Sequence, residues 1–259
     1  MSSTLFKSLK VLESMADSDA PRGISELSRE LALDKSAVQR ILKSLVDAGY
    51  CEKVGQSGNY RATLKLWELG SRVIAKNEIG RRLHPVLRYG AAVSGLTVYF
   101  ALSAYPDIVY LDRVEGNEGR PNASDPGRRV AIHATALGRA ILAFMNEERQ
   151  QEIRSLLIHP EPGAVPSYQS VESFDEGMAE IRARMYAVSE SGMQSGVTSI
   201  AAPVWGLEPE PIGSIGLTSD TATLPSDRLP HMKQLVVTLA YQATRALGGN
   251  FPSSEFEAP

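Results

Sequence analysis

ISELSRELALDKSAVQRILKSLVDAGYCEKVGQSGNYR, Ile24 to Arg61, is the stretch whose reading decides the fold. Ile24, Leu27 and Leu31 recur at helical spacing, with serine, glutamate and arginine on the other face. Ala32-Leu33-Asp34 forms a tight junction, and Asp34 stands where its side chain would cap the next helix by accepting from an unpaired first-turn N–H. In that second helix Val38, Ile41, Leu42 and Leu45 make one stripe. The opposite face carries Ser36, Gln39, Arg40, Lys43 and Ser44, with no carboxylate until Asp47. Gly49 then stops the helix, because a residue at ease with positive φ fits that position at little cost. Residues 50–54 and 60–62 pair as strands across the Gly-containing segment 55–59. Two short helices, a turn and a hairpin predict a winged helix-turn-helix.

A DNA major groove admits one α-helix, whose N-terminal turns bring side chains to base edges. Ser36 and Gln39 suit base edges or phosphates, Arg40 can grip guanine or phosphate with two donors, and Lys43 supplies a phosphate charge. The candidate DNA-facing set is Ser25, Lys35, Ser36, Ala37, Gln39, Arg40 and Lys43, with Asn59 and Arg61 from the wing. Between Lys35 and Arg61 five basic residues face only Asp47 and Glu52. The plainer alternative is a solvated amphipathic helix pair inside a larger domain. The capped junction, the glycine stop and the hairpin agree with one another and favour the winged helix.

Beyond this stretch the chain resembles the IclR family of bacterial transcriptional regulators over nearly its whole length. The resemblance lies in Gly23-Ile24-Ser25-Glu26-Leu27, in residues 33–42, in residues 45–49, in His133-Ala134-Thr135-Ala136-Leu137-Gly138-Arg139-Ala140 and in residues 196–204. A helix-turn-helix alone is a weak marker; three motifs in the right order and spacing make the match specific.

The remaining composition is consistent with this. The 259 residues are 43% hydrophobic, enough for two domains and a sizeable core. The net charge of −3 is unevenly spread: residues 1–80 are slightly basic and residues 81–259 acidic, as suits a DNA-binding head on an acidic body. Cys51, the single cysteine, excludes an intramolecular disulfide framework and suits a reducing, cytoplasmic setting. No apolar run approaches membrane-spanning length, so no membrane partner is expected, and Met1-Ser2-Ser3-Thr4 leads into an amphipathic helix rather than a signal peptide.

Taken in order, Thr4 or Ser3 caps a first helix whose Leu5, Leu9, Leu12 and Met15 or Ala16 share a face, and residues 17–23 form a polar turn. The expected domains are a winged helix-turn-helix at 1–63, a linker helix at 64–81, a second domain at 82–250 and a frayed tail at 251–259. Pro85 is a kink or restart point ahead of a helix at 84–94. The second domain alternates strands (97–104, 108–114, 130–132, 197–203, 212–219) with helices (137–144, 147–158, 173–186, 227–247). Residues 160–170 read as a Pro- and Gly-rich loop. Helices around an antiparallel sheet make the fold class α+β, an α/β sandwich. The resemblance implies a GAF-like effector-binding domain.

Chemistry motifs are absent. His84, His133, His159 and His231 lack metal-ligand spacing, Ser195 and Ser199 lack a nucleophile elbow, and no phosphate-cradling loop occurs. No catalytic residue, metal or cofactor is assigned. A small-molecule site remains. Thr135-Ala136-Leu137-Gly138 begins a helix whose free N–H groups favour an anion, and Ser199 and Thr218 lie on strands alternating with apolar neighbours. Read alone, Thr135 is equally an ordinary cap, and Ser199 and Thr218 equally pair within the sheet. The resemblance selects the site, since the family binds small organic acids with this helix start and the final strands. The chain departs from the family in carrying Ser191 and Gly192 where acids are usual, Ser199 where a cysteine is common, and Gly216 and Thr218 in a last strand often rich in serine. The expected protein is a homodimer, or a dimer of dimers, that binds a roughly palindromic double-stranded DNA operator and responds to a small organic acid. The alternatives are an architectural DNA-binding protein whose second domain only oligomerises, and, more remotely, an enzyme with a nucleic-acid-binding appendage.

Overall fold

The computed structural model describes residues 3–55, 57–118, 125–158, 171–190, 196–222 and 227–252. The chain forms two units, residues 1–77 and 78–259. The first contains α1 (Ser3–Ala16), α2 (Ile24–Glu30), α3 (Lys35–Asp47), β1 (Cys51–Val54), β2 (Asn59–Ala62) and α4 (Lys65–Ala75). Its core gathers Val11, Met15, Leu27, Val38, Ile41, Leu42 and Cys51, all buried. The stripe expected for α1 is corrected here. Met15 faces the core and Leu12 packs against it, as expected, but Val11 joins them, whereas Leu5 and Leu9 are 61% and 48% exposed. This helix has apolar residues on two faces, and spacing alone does not choose between them.

Asp34 stands at the start of α3, but its side chain makes no cap bond. Its carbonyl does the work instead, accepting from the N–H groups of Ala37 and Val38 at 2.9 and 3.0 Å. At the other end Gly49 turns the chain at φ +79°, and the Tyr50 N–H reaches back to the Leu45 carbonyl at 2.8 Å. The wing pairs Cys51 with Ala62 through Val54 with Asn59. Arg22 adds a bridge to Tyr60 that the sequence did not suggest. The Arg22 side chain meets Glu26 and Glu30, Ser14 donates to the same Glu30, and the Arg22 backbone pairs with Tyr60, so α1, α2 and the wing are tied together around one residue.

The stretch 64–81, expected as one linker helix, is interrupted. The last turn of α4 tightens, with Lys76 and Asn77 bonded to carbonyls three residues back, and α5 (Glu78–Ser94) starts afresh. Pro85 therefore lies inside α5 rather than at a restart.

The second unit continues with β3 (Thr97–Ala104), β4 (Asp107–Val114), β5 (Arg129–Ala131), α6 (Ala136–Leu142), α7 (Glu147–Ile158) and α8 (Val171–Arg184). Then come β6 (Ala187–Glu190), β7 (Val197–Trp205), β8 (Pro211–Asp220) and α9 (Leu229–Ala246). The strands form one six-stranded sheet in the order β5-β4-β3-β8-β7-β6, antiparallel at every junction. Strand alternation sends Val98, Phe100, Ile200, Ile215 and Leu217 into a core with α5 and α9. Tyr99, Ala101, Ala187 and Ala201 enter a second core with α6 and α8. The result is the expected α+β sandwich, with β6 as an unforeseen edge strand. The loop expected over 160–170, His159, Ser191, Gly192, Ser195 and most of the tail lie outside the described residues.

Candidate functional site

On α3 the side chains of Lys35, Ser36, Gln39, Arg40 and Lys43 are exposed, as is Ser25 on α2. Among the described residues no ion pair uses Lys35, Arg40 or Lys43, so these cations are not committed to the fold. Ala37 is half-buried and lines a groove of about 220 Å³ with Arg40, Ser44, Thr4, Lys7 and Ser8. Lys7 thus joins the basic face from α1, a neighbour the sequence did not bring to the recognition helix.

The wing is less free. Arg61 Nε donates to Glu52 at 2.6 Å, straight across the hairpin register. Asn59 is half-buried, and its amide donates to the Pro21 carbonyl at 3.4 Å, which braces the hairpin against the preceding turn. Lys53 alone of the wing's cations has no ion pair among the described residues. Burial pushes the Cys51 thiol up from its ordinary pKa, in keeping with a structural place beneath the wing.

The start of α4 grips the end of α3. Thr63 Oγ1 donates to the Gly49 carbonyl and Lys65 Nζ to the Ala48 carbonyl, each at 2.6 Å. A cation at a helix C-terminus also opposes the negative end of its dipole. Yet α4 buries none of its residues; Trp67 is 69% exposed, and Leu64, Val73 and Ile74 are exposed beside it.

In the second unit Thr135 caps α6, accepting from the Gly138 N–H at 3.0 Å. Gly138 allows a very close approach: a Cβ there would stand 1.9 Å from the Ile132 carbonyl oxygen. Ala136 and Leu137 are buried, Ser214 donates to the Leu137 carbonyl at 2.8 Å, and the Leu137 side chain lies over Gly216. Helix α6 has only seven residues, and part of its donor capacity is taken by its own cap. Ser199 and Thr218 face each other in register, their hydroxyls 3.2 Å apart.

The register adds what sequence reading missed. Thr97 is opposite Thr218, and Ser189 opposite Ser199, so four hydroxyls cross β3, β8, β7 and β6 in one row. The next row holds Tyr99, Gly216, Ala201 and Ala187. Arg113, in register with Tyr99, pairs with Glu115 and Asp125. The only advance signal for Thr97 and Tyr99 was their alternation with Val98 and Phe100. His133 lies in a 3-10 turn before α6; burial, with Arg139 nearby, pulls its pKa below the ordinary value, and Asp107 opposes this. Among the described residues no group of His, Cys, Asp and Glu could hold a metal, and no helix is long and apolar enough to cross a membrane.

A winged helix with uncommitted cations on its second helix, carried on a chain with a separate α/β sandwich, defines a DNA-binding regulator. Comparison with known proteins agrees. The family description "IclR helix-turn-helix domain" matches residues 4–55, and "Bacterial transcriptional regulator IclR C-terminal" matches residues 71–245. The HTH-type transcriptional regulator XynR of Escherichia coli K12 is 26% identical, over 93% of this chain and 96% of its own. The transcriptional repressor IclR of the same organism is 25% identical over 95% and 90%. Among solved structures, an IclR homologue from Microbacterium hydrocarbonoxydans complexed with 4-hydroxybenzoate shares the fold at a TM-score of 0.72, with 22% identity over 94% of this chain and all of that one. The chain belongs to the IclR family of bacterial transcriptional regulators.

Proposed function

We propose that this regulator acts in the cytoplasm as a homodimer, or a dimer of dimers, on a roughly palindromic operator, with a small organic acid as effector. The observation that carries the DNA half is the exposed, unpaired set Lys35, Gln39, Arg40 and Lys43 on the helix after the junction. Arg40 and Gln39 read bases, and Lys35, Ser36, Lys43 and Ser25 hold phosphates. The oligomer is supported by α4, which has an apolar stripe and buries none of it. An exposed stripe of that kind is what a partner covers, and two-fold pairing sets two recognition helices on successive groove faces.

The effector half draws on the family, on the relative complexed with 4-hydroxybenzoate, and on the polar row between α6 and the sheet. A second reading has one observation in its favour. Thr135 is spent on its cap, and Ser199 and Thr218 on each other, which suits a domain that only assembles the oligomer.

Binding isotherms on an operator selected from genomic fragments test the proposal. At two salt concentrations, Arg40→Ala and Gln39→Ala should each lose about 1–3 kcal/mol of discrimination, or else lower the salt slope. Titrating organic acids into the same complex should then shift operator affinity. Unchanged affinity in both variants removes α3 from the interface, and no response to any acid favours the second reading.

A further inference from the structure

Helix α4 contributes no buried residue to the head, whose buried core comes from α1, α2, α3 and β1. The hydrogen bonds that join α4 to the head fall instead on one place. An α-helix ends in carbonyls that have no partner within it. Just past the end of α3 three successive carbonyls, those of Ala48, Gly49 and Tyr50, are all taken by residues 63 and 65. Tyr50 accepts from the Thr63 N–H at 2.9 Å, Gly49 from Thr63 Oγ1 at 2.6 Å and Ala48 from Lys65 Nζ at 2.6 Å. Thr63 Oγ1 also accepts from the Lys65 N–H at 3.3 Å, so one hydroxyl links the end of α3 to the first turn of α4. The Lys65 stem runs past Gly49, its Cδ 3.7 Å from where a Cβ would stand, and its ammonium lies 4.7 Å from the centre of the Tyr50 ring. Lys65 thus spends its charge on the head itself, whereas Lys35, Arg40 and Lys43 carry theirs on the exposed face of α3.

We infer that Thr63 and Lys65 are positioning residues for the recognition helix: by clamping the end of α3 to the start of α4 they fix the direction in which α4 leaves α3, and with it the half-site spacing that a dimer accepts. They touch no DNA in this role. The inference rests on the dimer reading given above, in which α4 carries the face that a second copy covers. Where two heads are joined through α4, each recognition helix is placed by the joint between α4 and its own α3. Two recognition helices reach successive groove faces only when their separation matches that of the half-sites, about one helical turn or a multiple of it. A loose joint accepts several spacings, and a joint held at three successive carbonyls accepts one. The clamp therefore acts on specificity, as a difference in affinity between arrangements of the same half-sites, and leaves the contacts of each head with its own half-site alone.

The test uses the full chain and the operator selected as above, derivatives whose half-sites are moved one or two base pairs nearer or farther, and a duplex that holds a single half-site. The parent protein should bind the original spacing about tenfold tighter, or more, than a spacing changed by two base pairs. Lys65→Met and Thr63→Val should each cut that preference to about threefold or less, by losing affinity for the original spacing. Their affinity for the single half-site, its salt slope and their sedimentation as dimers should stay those of the parent, because the exposed face of α3 and the apolar face of α4 are unaltered. Lys65→Arg, whose guanidinium still donates to the Ala48 carbonyl, should restore the preference. Weaker half-site binding by Lys65→Met with a smaller salt slope would place Lys65 on a phosphate; weaker half-site binding with an unchanged slope would mean that the clamp only holds α3 within its own head. Either result overturns the inference, and so does dissociation of the variants or an undiminished spacing preference in both. A parent protein that is dimeric yet indifferent to spacing overturns the inference and leaves the dimer standing. A monomeric parent overturns both.

Discussion

Gly138→Ala tests whether α6 is seated as described. A Cβ at this position would lie 1.9 Å from the Ile132 carbonyl oxygen and 2.6 Å from its carbon, both backbone atoms that cannot swing aside. Bringing the closer pair merely to 3.0 Å, the limit below which real Cβ contacts are not found, requires the turn and the helix to part by at least about 1.1 Å. That separation strains the Thr135 cap on the Gly138 N–H, the Arg139 Nε bond to the His133 carbonyl and the Ser214 bond to the Leu137 carbonyl. Overpacking costs about 1–3 kcal/mol and a lost cap about 1 kcal/mol. Against this, alanine gains about 1 kcal/mol over glycine in a helix. The expected net loss is about 1–3 kcal/mol, which for a domain of this size lowers Tm by roughly 2–12 °C. Trp205 is buried and Trp67 is exposed, so the shift in tryptophan emission on unfolding reports mainly on the second unit. Gly70→Ala in α4, whose Cβ would meet nothing within 4 Å, is the control and should be neutral or stabilising. A Gly138→Ala protein as stable as the parent would refute the close packing of the turn on α6.

Three further outcomes follow from particular contacts. Glu52→Gln breaks an exposed pair worth at most about 1 kcal/mol to the fold and frees Arg61; operator affinity should rise and the salt slope steepen by up to about 0.9, and an unchanged slope would take the wing off the phosphates. Because burial holds the folded His133 pKa below 6.5, the unfolded chain takes up a proton first as pH falls through that value, and stability is lost downward from there. His133→Gln should lack this component, so its stability relative to the parent should be greater at pH 5 than at pH 8 in urea unfolding; an equal difference at both would place the imidazole in water. Replacing Leu66, Trp67 and Ile74 together by polar residues should weaken operator binding and shift sedimentation toward the monomer, and a parent protein that already sediments as a monomer at micromolar concentration would contradict the dimer.

The head was largely legible because its determinants are local. Gly49 at positive φ, the stripe of Val38, Ile41 and Leu42, and the hairpin register all follow from residues within a few positions of one another. What escaped was set by partners farther away. Asp34 has the residue type of a side-chain cap, but its own carbonyl takes the first N–H groups of α3. Period alone could not tell that Val11 joins Met15 in the core while Leu5 and Leu9 stay exposed. Asn59 and Arg61 look like wing contacts in sequence, and only the folded hairpin pairs one with Glu52 and the other with the Pro21 carbonyl. Likewise the grip of Thr63 and Lys65 on the end of α3 depends on where α4 starts, which nothing in the sequence of either helix states.

The sheet face proposed to take the effector was less legible for a geometric reason. Alternation along a strand shows which residues share a face, so Thr97 and Tyr99 could be separated from Val98 and Phe100. It does not tell which strand lies alongside. Thr97, Ser189, Ser199 and Thr218 come from four strands, and their row exists only because β8 runs between β3 and β7 with Thr97 opposite Thr218 and Thr218 opposite Ser199. A slip of one residue between β3 and β8 would turn Thr97 and Tyr99 into the α5 and α9 core and bring Val98 and Phe100 to α6. That alternative is closed by packing, since Phe100 is fully buried among Leu83, Leu87 and the α9 side chains, and two hydroxyls there would lose the hydrophobic burial that holds the layer. The apolar face therefore fixes the register, and the register aligns the hydroxyls on the opposite face. Substitutions of Val98 or Phe100 should for this reason disturb the hydroxyl row of Thr97, Thr218, Ser199 and Ser189, although neither apolar side chain lies on that face of the sheet.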